Sequence, residues 1–103
     1  MKLMISQPMH GKTEEEIREE RKELVEQLEQ EGHEVMNTVL TKEYLTADRP
    51  ADATPSLWAI AKSLEALSQA DGLVCMPGWD NVVGCHIEEY CARVYGKYIK
   101  YLD

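Results

Sequence analysis

Positive charge is scarce in this sequence. Lys and Arg total 11 against 19 Asp and Glu, a formal net charge of −8. Gripping a nucleic-acid backbone takes clustered Lys and Arg that displace counterions, so a nucleic-acid polymer is not the expected partner. One small phosphate held by local donors stays compatible with this balance. Long apolar runs are also missing: none approaches the roughly 18 residues that span a bilayer, so no membrane partner is expected. The opening residues, Met1 to Pro8, are too short for a signal h-region and carry no small-residue cleavage site, and the expected location is the cytoplasm. Cysteine is sparse and unpatterned. Cys75, Cys85 and Cys91 are odd in number and include no C-x-x-C pair. They read as reduced thiols, not as a disulfide framework or a zinc site. No metal or other cofactor is expected. There is no internal repeat and no low-complexity segment. The 103 residues are expected to form a single domain, 1–103, with a modest core.

What is present alternates. Lys2 to Ile5 reads as a short apolar strand. Thr13-Glu14-Glu15-Glu16 fits a capping box and opens a helix whose apolar face is Ile17, Leu24, Val25 and Leu28, with Gly32 as its stop. His33 to Leu40 reads as a second strand. Residues 41–56 have no clean period and contain Pro50 and Pro55, which predicts a loop with room for a short helical piece. A helix from about Ser56 to Gln69 shows the stripe Leu57, Ile60, Ala61, Leu64, Leu67. Gly72 to Met76 is a continuous apolar run of the kind buried on both faces. A turn, Pro77 to Asn81, leads into a third helix with Val83, Ile87, Cys91 and Val94 predicted to face the sheet, and Asp80 and Asn81 as its caps. Lys97 to Leu102 reads as the last strand. The order β-α-β-loop-α-β-α-β predicts an α/β, Rossmann- or flavodoxin-like open sheet. It would hold four to five mostly parallel strands with helices on both faces. Ligands of such sheets sit beyond the strands' carboxyl ends, here 6–12, the segment after Leu40, and 76–81.

The first of these ends, Ser6-Gln7-Pro8-Met9-His10-Gly11-Lys12-Thr13, is one residue short of a P-loop. Ser6 replaces the first glycine of G-x-x-x-x-G-K-[ST]. Pro8 stiffens a loop whose amides would have to curl around phosphates. The run Leu73 to Met76 ends in Pro77 rather than in a magnesium-binding aspartate. An ATPase is therefore the weakest of three functional readings.

The stretch Gly84 to Lys97 carries more. On a helix, Glu88 lies about 100° from Ile87, and its neighbours one turn away are the small residues Gly84 and Ala92. Something can lie across the helix at this carboxylate. Glu89, one residue on, reads as a plain surface charge. Gly84-x-x-x-Glu88-x-x-x-Ala92-x-x-x-Gly96-Lys97 resembles the signature helix of the nucleoside 2-deoxyribosyltransferase superfamily. That superfamily includes the 2'-deoxynucleoside 5'-phosphate N-hydrolases. Together with ISQPMHGKT, KSLEALSQAD and PGW, it resembles more narrowly the small DUF4406 family, over nearly the whole chain.

The superfamily resemblance implies that Glu88 is the catalytic nucleophile. The implied reaction cleaves or exchanges the N-glycosidic bond of a (deoxy)nucleoside or its 5'-monophosphate. A carboxylate under the sugar stabilises or bonds to the oxocarbenium-like anomeric carbon, with no metal required. The first loop would line the sugar and any 5'-phosphate through Ser6, Gln7, Pro8, Met9, Gly11 and Lys12. Glu14, Glu15 and Glu16 oppose an anion at the helix start. Trp79, after Gly78, is a candidate to stack on a base, with Asn81, Ser63 and Gly84 nearby. Trp58 reads as a core or oligomer contact. Two departures stand out. The superfamily's aspartate on the helix before the third strand is Ser63 here, which cannot act as an acid at neutral pH. A first-strand tyrosine is also missing. The loss of the aspartate favours the second reading, a module of the same fold that binds or senses a nucleotide without chemistry. The implied partners are a small nucleoside or nucleotide and, as in small members of the superfamily, further copies of the chain in a homo-oligomer.

Overall fold

The computed structural model describes residues 1–36 and 42–102. The elements in chain order are β1 (Lys2–Ser6), α1 (Glu14–Gln30), β2 (Glu34–Met36), α2 (Lys42–Thr46), α3 (Pro55–Ser68), β3 (Gly72–Cys75), α4 (Val83–Val94) and β4 (Tyr98–Tyr101). A short 3-10 turn, Trp79–Asn81, precedes α4. Four strands pair in the order β2-β1-β3-β4, all parallel. This is a Rossmann- or flavodoxin-like open sheet, with the chain changing direction between β1 and β3. The predicted β2 ran on to Leu40; residues 37–40 lie outside the described residues. Among those described, no helix is long and apolar enough to cross a membrane.

Alternation along the strands sorts the core into two layers. Leu3, Ile5 and Val74 turn to the side covered by Leu28 of α1, with Leu24 and Val25 packed against them. Met4, Leu73 and Cys75 turn to the other side, under Ala66 and Leu67 of α3 and Ala92 of α4. Each large side chain buried here contributes about 1.5–3 kcal/mol relative to exposure. Gly72 sits where the sheet is tightest. A Cβ there would stand 2.8 Å from the Tyr98 carbonyl oxygen and 3.0 Å from a Leu3 methyl.

The capping box forms as predicted. Thr13 Oγ1 accepts from the Glu16 amide, and the Glu16 carboxylate accepts from the Thr13 amide, each at 3.1 Å. Gly32, at φ +91°, ends α1 in the left-handed conformation that glycine adopts without penalty. Pro55 opens α3 at a first-turn position that needs no amide donor. Residues 42–46 form the short helix that the loop had room for.

Two predicted helix faces and one predicted cap are corrected. Toward the sheet, α4 presents Cys85, Glu89 and Ala92, while Val83 and Val94 are 76% and 52% exposed. Glu89 is therefore buried and not a surface charge; it is paired to Arg93 Nε at 3.1 Å. On α3 the buried residues are Ser63, Ala66 and Leu67, while Leu57 and Ala61 are exposed. Small side chains at Ser63, Ala66, Cys85 and Ala92 let both helices approach the sheet closely, and Leu57, Val83 and Val94 are left outside. Asp80 and Asn81 do not cap α4. Both lie in the 3-10 turn, and Val82 is the N-cap with no side-chain bond.

Candidate functional site

β1 ends by turning Ser6 toward α4, and the hydroxyl donates to Glu88 Oε1 at 2.6 Å. From the opposite side, Ser63 on α3 donates to Glu88 Oε2. Two buried serines from elements 82 and 25 residues away in sequence thus hold one carboxylate. Burial pushes the Glu88 carboxyl above the ordinary carboxylate range. The Ser6 and Ser63 hydroxyls and the Arg21 guanidinium oppose that rise without cancelling it. Arg21 is itself 2% exposed. Its Nε donates to Gln7 Oε1 at 2.9 Å, and Gln7 Nε2 donates to the Ile17 carbonyl at 3.0 Å. Burial, helped by Arg18, brings Arg21 down to about 10, and attraction to Glu88 acts the other way. Below the serines, Cys85 is pushed up by burial, with the Ser6 hydroxyl opposing.

Glu88 stands in the wall of a cavity of about 380 Å³ beside the carboxyl end of β1, between α3 and the start of α4. Its polar lining is Gln7, His10, Ser56, Ser63 and Glu88. Apolar walls come from Ile5, Met9, Leu45, Ile60, Val83 and Ile87. The backbone of Gly84 adds a surface where a Cβ would come within 3.4 Å of Ile60. A wider depression of about 660 Å³ runs along α1 between Glu14, Glu19, Glu26 and Glu29. Its lining also includes Arg18, Arg21 and Lys22.

Among the residues singled out from sequence, Ser6, Ser63 and Glu88 meet in one hydrogen-bonded unit, and Gln7, Met9 and Gly84 join the cavity lining. The others lie elsewhere. Lys12 turns along α1 to Glu20 at 2.9 Å, and its amide closes a turn onto the Met9 carbonyl at 3.1 Å. Gly11, in the same turn, is exposed with φ +77°. Pro8 packs toward Gly78 on the outside of the cavity. Trp79 is half-buried, edge-on to His86 and tilted against Tyr101 at 5.3 and 5.6 Å between ring centroids, and is not among the residues lining the cavity. Asn81 is exposed in the turn before α4. Trp58 is part-buried and donates to the Ala47 carbonyl at 2.9 Å, tying α3 to the end of α2. Sequence reasoning did not find Arg21, a charged residue in the apolar stripe of α1. Its place at i+4 from Ile17 and i−7 from Leu28 was the available signal. Leu45, Ser56 and Ile60 were missed as lining residues because only the packing of α2 and α3 brings them there.

Among the described residues, no group of three His, Cys, Asp or Glu comes together to hold a metal ion. The arrangement is a desolvated carboxylate, fixed by two hydroxyl donors, facing a largely apolar chamber open at one side. Such a group can take a proton, accept hydrogen bonds, or attack an electron-poor carbon held above it.

Comparison with curated proteins and with solved structures gave no match. The family model described as a domain of unknown function (DUF4406) covers residues 1–101, so the chain belongs to the DUF4406 family.

Proposed function

We propose that this protein cleaves or exchanges the N-glycosidic bond of a (deoxy)nucleoside or nucleoside 5'-monophosphate through Glu88. Its chemistry would be that of the nucleoside 2-deoxyribosyltransferase-like enzymes it resembles. The observation that carries the reading is the Glu88 carboxylate, held by Ser6 and Ser63 at the wall of the cavity. Both oxygens are aimed by the protein, so the group is preorganised rather than free to rotate.

In the reaction, the C1'–N bond breaks and its electron pair leaves with the base. One Glu88 oxygen approaches C1' and either bonds to it or balances its positive charge. The base needs a proton as it departs, and Ser63 cannot supply one. His10 is the lining imidazole, a group able to give a proton and take one back. Water, or a nitrogen of a second base, then attacks C1', releases Glu88 and returns its proton to His10. Burial resists ionisation of Glu88 in the empty site. The cationic sugar carbon supplies the positive charge that the buried carboxylate lacks.

One observation favours the second reading, a nucleotide-binding module. Ser63 stands where the superfamily carries an aspartate, and it occupies Oε2 of Glu88. Assembly into a homo-oligomer belongs to the first proposal. The outer side of α4 leaves Val83, Tyr90 and Val94 exposed, apolar surface that a second copy would cover.

The test is incubation with ribo- and deoxynucleosides and their 5'-monophosphates, with and without a second free base, reading released or exchanged base by chromatography. Base release that disappears in Glu88→Gln supports the enzyme. Ligand-induced thermal stabilisation without turnover supports the binding module.

A further inference from the structure

We infer that the cavity is built for an uncharged nucleoside and discriminates against its 5'-monophosphate. This rests on the reading of the cavity as a nucleoside site and narrows its substrate class.

Among the described residues lining the cavity, none is Lys or Arg. The cation that the first loop seemed to offer is committed elsewhere: Lys12 is paired with Glu20 on α1. Three amides of the loop and of the α1 start are committed too. The Lys12 amide bonds to the Met9 carbonyl, and the capping box takes the Thr13 and Glu16 amides. The same helix start carries Glu14, Glu15 and Glu16, which would repel a dianion brought to it. Arg21 is close enough to influence Glu88, but it lies behind Gln7 with 2% of its surface exposed. Inside the cavity, an ionised Glu88 would add its own repulsion to a phosphate.

The electropositive elements in the wall are the first turns of α3, at Ser56, and of α4, each worth about half an elementary charge. Val82, Val83 and Gly84 flank the α4 start, the Ser56 hydroxyl belongs to the α3 start, and no Lys or Arg stands among the described lining residues at either. A phosphate dianion would thus trade its hydration for these partial charges, one hydroxyl and a largely apolar wall, with no Lys or Arg to balance it, which is unfavourable. A neutral nucleoside fits the inventory better. Its base has Ile60, Val83 and Ile87 to pack against, and its sugar hydroxyls have Ser56 and Glu88.

The experiment measures affinities of a carbocyclic 2'-deoxynucleoside and its 5'-monophosphate, which lack a cleavable glycosidic bond. Calorimetry on the wild-type chain is repeated for Ser56→Lys, which puts a cation on the cavity rim, and for Lys12→Ala. The wild type is expected to bind the neutral analogue at least about tenfold more tightly. Ser56→Lys is expected to narrow that gap by raising monophosphate affinity relative to that of the neutral analogue. Equal or tighter binding of the monophosphate by the wild type overturns the inference, as does monophosphate affinity lost selectively in Lys12→Ala. Failure to bind either analogue overturns both this inference and the nucleoside-site reading. Base release from natural deoxynucleosides is followed separately. Selective neutral binding with no base release would leave this inference standing and sink the glycosidase. Base release mainly from monophosphates would do the reverse.

Discussion

Removing the Ser63 hydroxyl tests the geometry of the site without requiring that a substrate be known. Ser63 is 7% exposed, and its hydroxyl donates to Glu88. A hydrogen bond to a charged group contributes about 1.5–3 kcal/mol. The cavity lets water reach the vacated oxygen, so the lower end applies. Ser63→Ala is expected to lose about 1.5 kcal/mol at pH 8, a fall in Tm of about 6–12 °C for a domain of this size. The pH dependence has a definite sign. Burial raises the Glu88 carboxyl and Ser63 lowers it, so the variant's carboxyl rises further. The penalty therefore belongs to the ionised form. It is complete above the folded-state titration of Glu88 and shrinks as pH falls through it, toward the roughly 0.5–1 kcal/mol of a neutral bond. Urea unfolding of wild type, Ser63→Ala, Glu88→Gln and the double variant at pH 4 and pH 8 measures this. In the Glu88→Gln background the Ser63 penalty is expected to be smaller and flat with pH. A penalty equal at both pH values, or equal in both backgrounds, would refute the coupling between these two side chains.

Glu88→Gln should abolish base release while raising Tm at pH 8. The folded chain holds the Glu88 proton more tightly than the unfolded chain does. The stability due to this group is thus complete below the ordinary carboxylate range and falls as pH rises through the folded value. The amide escapes that fall, and its advantage is expected to vanish in melts near pH 4. Gly72→Ala is expected to cost about 3 kcal/mol, measured as a lower urea midpoint, because the new methyl meets a backbone carbonyl that cannot turn aside. Toward a thiol reagent at pH 8, Cys91 is expected to react first in the folded chain, read by mass-mapped labelling. Cys75 and Cys85 are buried, and burial pushes the Cys75 thiol up to about 12. Base release by the wild type should rise with pH along an acid limb set above ordinary carboxylates, since it needs Glu88 ionised.

The sequence carried its message unevenly, for physical reasons. The Thr13–Glu16 capping box and the Gly72 to Met76 run are local signals, and both elements stand where their residues imply. The parallel order followed from alternation alone. Helix orientation was harder to read. Hydrophobic periodicity picks out large apolar residues, but α3 and α4 turn Ser63, Ala66, Cys85 and Ala92 inward. Close approach to the sheet favours small volume over hydrophobicity. Glu89 and Arg21 are buried charges whose neighbours lie elsewhere in the chain, beyond any local pattern. In the site, Glu88 and Ser63 could be picked out from a resemblance, and Ser6 from its position at a strand end. Their mutual hydrogen bonds, the pairing of Lys12 with Glu20 and the contacts of Trp79 with His86 and Tyr101 depend on three-dimensional packing.

The strand order has a consequence for how this molecule comes into being. β1 lies inside the sheet, yet the residue paired with its Leu3 on the β3 side is Gly72, and its Ser6 reaches Glu88 82 positions later. A chain emerging from a ribosome therefore carries a completed β1 long before its second neighbour exists. Until then Leu3, Met4 and Ile5, each at most 1% exposed in the finished fold, have only β2 and α1 for shelter. Such non-local pairing slows folding and prolongs the time in which a sticky strand is open to other chains. The carboxylate acquires its two serine partners only when nearly the whole chain is in place. The site is thus among the last things folding completes, and an incompletely synthesised chain cannot assemble it.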